Sequence, residues 1–269
     1  MPSHICTTCG VAYPPSDAPP AVCRICDDER QYINSAGQRW TTLADLEANN
    51  RNDIRDQEPG LHGIGTTPQV AIGQRALFIE QPGGGVLWDT TPLIHRDTVE
   101  VIKARGGLRA IAISHPHFYG TMADWSERLG DVPVYLHEDD RQWAMRPAKN
   151  TVFWSGETRD LGQGVTLIRC GGHFEGSTAL HWAAGAGGKG ALFTSDTIMV
   201  VPDPRWMSFM RSYPNAIPVN AANVRRVTAA VARFAFDRIY GGWWDRICQN
   251  DAKARLAASA ERYIAAISE

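Results

Sequence analysis

The chain has 269 residues, 43% of them hydrophobic, and a formal net charge of −2 at pH 7, enough apolar material for a full domain core and a small appendage. It contains no run of eighteen apolar residues and no charged-then-apolar leader, so neither a membrane span nor a secretory signal is expected. The slightly acidic balance also lacks the clustered Lys and Arg that nucleic-acid binding needs.

Two Cys-x-x-Cys knuckles come first: Cys6-Thr7-Thr8-Cys9-Gly10 and, after thirteen intervening residues, Cys23-Arg24-Ile25-Cys26. Four thiolates at this spacing fit tetrahedral zinc, and a closed four-Cys site is structural because no ligand position stays open. Rubredoxin-like iron or a redox pair is the alternative. Residues 1–36, the expected zinc ribbon, are too few to bury a core, so metal binding must supply much of their folding free energy. The loop Pro14-Pro15-Ser16-Asp17-Ala18-Pro19-Pro20 is too proline-rich for a helix or central strand. Asp17, Arg24, Asp27, Asp28, Glu29 and Arg30 surround the knuckles without forming a basic stripe. Docking or homodimerisation therefore suits the ribbon better than nucleic-acid binding. Such a site fits a reducing compartment, and the cytoplasm is the expected location.

Residues 37–57 read as a short helix over 42–48 and a polar linker that runs on to Pro59, ahead of a main domain over 58–269. Strands are predicted at 68–72, 75–80 and 85–89, with Gly83-Gly84-Gly85 marking a turn. Thr121-Met122-Ala123-Asp124 has the form of a capping box opening a helix over 122–129, which assigns Asp124 a structural role. Val224, Val227, Val231 and Phe234 recur at helical spacing, as do Leu256, Ala260, Tyr263, Ile264 and Ile267 in the last helix, and both stripes are expected to face the core. Cys170 and Cys248 read as buried thiols.

Three strand-like apolar runs, 109–113, 165–170 and 191–193, each precede an island of chemistry-bearing residues. The islands are Ser114-His115-Pro116-His117-Phe118-Tyr119-Gly120, Gly172-His173-Phe174-Glu175-Gly176-Ser177, and Phe193-Thr194-Ser195-Asp196-Thr197. In an extended segment residues i and i+2 point the same way, so His115 and His117 can face one ion. Imidazole and carboxylate suit zinc or iron, and three protein ligands leave a position for water or substrate. Any one His alone reads more readily as a satisfied loop or core residue; the repeated context favours a metal site of His115, His117, His173 and Asp196.

These islands resemble the metallo-β-lactamase superfamily, whose pattern runs His-x-His-x-Asp-His, a Gly-His segment, an Asp after a strand, and a late His. His115, His117, His173 and Asp196 match in order, and Val86-Leu87-Trp88-Asp89-Thr90 resembles the family's early strand end, whose Asp supports the site. The resemblance covers about residues 58–250 and implies an α/β fold, the αββα sandwich. Tyr119 stands where the family has its second-metal Asp, Gly120 where it has the next His, and Gly241-Gly242-Trp243-Trp244 in place of the last His. By that resemblance the second metal site is lost and one site remains.

The resemblance then implies a metal-dependent hydrolase of an ester, thioester or lactone-like substrate, with zinc on the three His, and Asp196 holding metal or orienting water. Tyr119, in the place of the water-orienting Asp, is the other candidate catalytic residue. Two His and Asp196 also make the facial arrangement of non-haem iron oxygenases, which keeps iron open. A non-catalytic binding or scaffold protein, with the ribbon as recruiter, is the remaining alternative; nucleic-acid processing is disfavoured by charge and by the missing second site. Trp206, Trp243 and Trp244 are candidate pocket residues, and the segment 205–214 combines aromatic, Met and Arg residues as a lid would, or packs as an ordinary loop. Arg211 there favours an anionic small molecule. His62 is a further pocket candidate, with a turn residue as the alternative.

Overall fold

The structure, a computed structural model, describes residues 1–268; residue 269, the end of the expected main domain, lies outside the described residues. The backbone falls into two units, one of Met1–Leu136 with Arg141–Phe153, the other of His137–Asp140 with the chain from Trp154 onward.

In the first unit the Cys-rich segment forms a three-stranded antiparallel sheet, Ser3–Cys6 lying between Ala12–Pro15 and Trp40–Thr41. The third strand comes from beyond residue 36. Thr42 Oγ1 accepts from the Asp45 backbone N–H at 3.2 Å and caps the helix Leu43–Asn49. That helix buries Leu46 against Ile5, Ala12 and Leu93, a small core. The rest of the unit is built on a seven-stranded sheet in the order Thr151–Trp154, Val134–His137, Leu108–Ala112, Gly85–Trp88, Ala76–Ile79, Leu61–Thr67, Arg51–Glu58. Its strands Gly85–Trp88 and Leu108–Ala112 pair in parallel, the first buried throughout and the second buried from Ala110 onward.

The structure departs from the sequence expectations at three places. The polar stretch read as a linker is the edge strand Arg51–Glu58, whose open side and polar composition hide it from hydrophobic patterning. Its partner is Leu61–Thr67, not 68–72; Gly63 and Gly65 dilute the strand signal there. The helix Met122–Arg128 is present, but Thr121 does not cap it: its hydroxyl donates to the Thr91 carbonyl at 3.2 Å, and Asp124 pairs with Arg146.

The second unit carries a six-stranded sheet in the order Thr158–Gly162, Val165–Arg169, Thr178–Trp182, Ala191–Phe193, Arg238–Tyr240, Ile247–Cys248. Ala191–Phe193 and Arg238–Tyr240 run parallel, so a crossover is required, and the helix Ala221–Ala232 lies in it. Asn220 Oδ1 caps this helix at Asn223 N, 2.9 Å. Val224, Val227 and Val231 join Leu256 and Ala260 of the helix Ala252–Ala266 in one core, with Phe234, Tyr263 and Ile264 packed at its edge. Ile267 departs from expectation: it follows the last helical residue and is exposed. Cys170 and Cys248 are buried free thiols, and burial pushes Cys170 up to about 12. The lid-like segment forms short strands Met207–Ser208 and Met210–Ser212, and Met207 and Phe209 are buried in that same core.

Candidate metal centres

The four ribbon sulfurs are buried, and Cys6 Sγ to Cys26 Sγ and Cys9 Sγ to Cys23 Sγ both measure 3.7 Å. A regular tetrahedron with bonds of 2.3 Å has an edge of about 3.8 Å, so the spacing fits a four-thiolate ion such as zinc. Side chains that the spacing did not reveal complete the shell: Tyr13 Oη donates to Cys23 Sγ at 3.4 Å, and Gln38 Nε2 to Cys6 Sγ at 3.2 Å. Burial pushes the Cys9 thiol well up, while hydrogen bonds from the neighbouring sulfurs hold Cys6 well down. Four thiolates therefore need a cation to coexist here.

In the first unit, the strand Leu108–Ala112 delivers Ser114 and His115. Asp89 is fully buried with φ +63°, and its Oδ1 accepts from Ser114 N at 2.7 Å. His115 is extended, with φ −170°, but Pro116–Phe118 is a 3₁₀ turn. His115 and His117 thus approach to 5.2 Å between ring centroids through that turn rather than along an extended segment. Pro116 suits the first position of the turn, where no N–H donor is needed. Ser114 Oγ lies 2.9 Å from His115 Nδ1 and orients the ring. Thr90 Oγ1 binds both the Phe118 and the Tyr119 carbonyls at 3.0 Å. Tyr119 is buried. Gly120 has φ +46°, and a Cβ there would fall 2.7 Å from Thr90 Oγ1 and 2.9 Å from the Thr91 carbonyl oxygen.

In the second unit, Gly171 and Gly172, both at positive φ, turn the chain out of Val165–Arg169 into the His173 loop. Ser177 Oγ accepts from Phe174 N at 2.8 Å, and buried Asp140 Oδ1 from Gly176 N at 2.9 Å, so the loop is pinned on both sides. His173 Nδ1 lies 2.8 Å from the Met210 carbonyl; the proton must sit on Nδ1, which leaves Nε2 as the ligand atom. Nε2 stands 3.8 Å from Asp196 Oδ2. Tyr213 Oη donates to the Asp196 carbonyl at 3.0 Å, and burial raises this phenol well above its ordinary value, so it stays a neutral donor. Tyr213 and Asp140 escaped the sequence reading. Tyr213 looked like part of a lid, and Asp140 sits in an acidic stretch with no motif.

His115, His117, His173 and Asp196 form a group able to hold a metal ion, each offering a ligand atom within 4.8 Å of the others, all four residues buried. Three imidazoles and a carboxylate are a donor set for zinc or iron. None of the pocket candidates is a member of this group. His62 is engaged by Asp56 at 2.7 Å and Glu80 at 3.1 Å, with Arg105 also at 3.2 Å, and is not part of this group. Trp206 lies under the Arg262 guanidinium, 4.4 Å from its ring. Arg205 pairs with Asp203 at 2.7 Å, and Arg211, Trp243 and Trp244 are half-buried.

Sheets, helices and donor groups define a mixed α/β sandwich of the metallo-β-lactamase class with an N-terminal four-Cys cluster compatible with a zinc ribbon. Residues 71–244 match the metallo-β-lactamase superfamily model, and the chain belongs to that superfamily. It is 44% identical over 270 residues to YmaE, an uncharacterized protein of Bacillus subtilis (strain 168), covering 100% of this chain and 98% of that one. Among solved structures, the metallo-β-lactamase DIM-1 is 17% identical with a TM-score of 0.60, over 81% of this chain and 99% of that one. FIM-1 from Pseudomonas aeruginosa, in its mono-zinc form, is 15% identical with a TM-score of 0.56, over 78% and 95%. At these identities the structural likeness speaks for the fold alone. Among the described residues no helix is long and apolar enough to cross a membrane.

Proposed function

We propose that the protein is a hydrolase with one metal ion, zinc, on His115, His117 and His173, with Asp196 beside it to orient water, acting on a small ester, thioester or lactone. The observation that carries this is the conformation after His117. The superfamily pattern places an Asp and a His of the second site where this chain has buried Tyr119 and Gly120, and Gly120 has no room for a side chain. Ligands for one ion are kept and those for the other are not; the mono-zinc form of FIM-1 is a precedent within the same fold.

Such an ion lowers the pKa of bound water to around 7 and polarises a carbonyl oxygen. The chain's own groups do the positioning. The Met210 carbonyl fixes the tautomer of His173, and Ser114 Oγ holds His115. Tyr119, a phenol in the place of a carboxylate, cannot accept the attacking water's hydrogen bond as an Asp would, so that role passes to Asp196. Tyr213 fixes the backbone of Asp196 through its carbonyl. In this reading Trp206, Trp243 and Trp244 would meet the substrate, and Arg211 would favour an anionic group on it. The ribbon holds a structural zinc, and a reducing compartment such as the cytoplasm suits it.

A panel of chromogenic esters, thioesters and lactones, assayed with zinc and after its removal by chelator, tests the reading. At least one class should be turned over in a metal-dependent way, and His173→Ala should bring the rate to background. Turnover unchanged in His173→Ala, or none in any class by the zinc-loaded protein, contradicts it. Activity only with iron and oxygen would move the site to oxygenase chemistry.

A further inference from the structure

We propose that the four-Cys ribbon is a clamp on the loop that carries His115 and His117, so that metal in the ribbon raises the affinity of the His/Asp group for its own ion. This rests on the metal-site reading above. All the contacts lie inside the first unit and reach the loop by two routes.

The direct route is short. Cys9 is followed by Gly10, Val11 and Ala12, and the Ala12 N–H donates to the Gly120 carbonyl at 2.9 Å. Gly120 is three residues from His117 and cannot easily shift, since the place of its missing Cβ is closed by Thr90 and Thr91. The second route runs through residues 90–93. At Gly10 the φ is +82°, and a Cβ would fall 2.4 Å from Pro92 Cγ, so the knuckle turn sits directly on Pro92. On the two residues before Pro92, the Thr90 hydroxyl holds the Phe118 and Tyr119 carbonyls, and the Thr91 carbonyl accepts from Thr121 Oγ1 and Trp125 Nε1. Leu93, just after it, is buried with Ile5 and Ala12 of the ribbon.

A segment too small to fold without metal therefore holds both supports of the His-bearing turn. When the ribbon is loaded, Gly10 and Ala12 are fixed, and the two imidazoles are presented in ligating geometry before their ion arrives. When it is empty, the His/Asp group must order the loop at its own expense. Gly10 and Ala12 are positioning residues in this scheme and touch neither metal nor substrate. Because coupling between two binding events is reciprocal, an ion at the His/Asp group must strengthen ribbon binding by the same factor.

The test is a zinc titration of the full chain against a graded series of chelators, with circular dichroism following the fold. In Cys9→Ser, which lacks a ribbon ligand, and in Gly10→Ala, which keeps all four thiolates but pushes on Pro92, zinc affinity at the His/Asp group should fall about tenfold or more. In His173→Ala, which leaves the ribbon intact, ribbon affinity should fall by the same factor as in the Cys9→Ser comparison; this arm holds if the ribbon variants do not fold. Unchanged affinity at each site when the other is disabled overturns the clamp while leaving the metal-site reading intact. Absence of zinc at the His/Asp group in the unaltered chain overturns both.

Discussion

At Gly120 the backbone φ is +46° and the space a methyl would take is filled by Thr90 Oγ1 and the Thr91 carbonyl. Gly120→Ala combines that crowding with a backbone conformation unfavourable to a side chain, and should cost about 1–3 kcal/mol, read as a lowered Tm. By the same geometry Gly120→His should not add a second zinc equivalent; a stable variant that gains one would show the second site to be merely unpopulated. Two other histidines make a pH prediction. His181, bonded to the Ala235 carbonyl at 2.7 Å, and His137, bonded to the Gly156 carbonyl at 3.1 Å, are both lowered from 6.5 by burial. The unfolded chain then binds more protons below that pH, so their stabilisation is complete above about 6.5 and is lost as pH falls through the lowered values. His181→Gln, which keeps a donor for Ala235 but does not titrate, should flatten the fall of Tm as pH drops below about 6.5. An unchanged slope would mean that His181 binds its proton equally in the folded and unfolded chain.

Among the elements, the helices were the more legible. Val224, Val227 and Val231 repeat at helical spacing because one face must meet the core, and that face is buried as the pattern says. Leu256→Ala should therefore cost about 2–5 kcal/mol by denaturant unfolding, whereas Ile267→Ala, at an exposed position past the helix end, should change stability by about 0.5 kcal/mol or less. Strands read less well where one side is open. Arg51–Glu58 shows no apolar alternation because none of its residues is fully buried on either face. The helix after His117 was found, but its cap was misread: Thr121 and Asp124 have the right identities, and tertiary partners, the Thr91 carbonyl and Arg146, take both side chains. The positioning of His173 by the Met210 carbonyl was not legible at all, since a backbone acceptor 37 residues away leaves no mark on residue identity.

For the molecule as a whole, the residues of the two groups able to hold metal could be read from the sequence because metal chemistry restricts ligands to few residue types at few spacings. Their supports were not, because Tyr13, Gln38, Asp140 and Tyr213 are common residues whose roles arise only from where the fold brings them. The proposed chemistry requires one ion at the His/Asp group in addition to one in the ribbon. Elemental mass spectrometry on the full chain and on His173→Ala tests it most directly. About two zinc equivalents per chain are expected, of which His173→Ala loses one while remaining folded. Metal content unchanged by His173→Ala, or a total of one equivalent that disappears in Cys9→Ser, would contradict it.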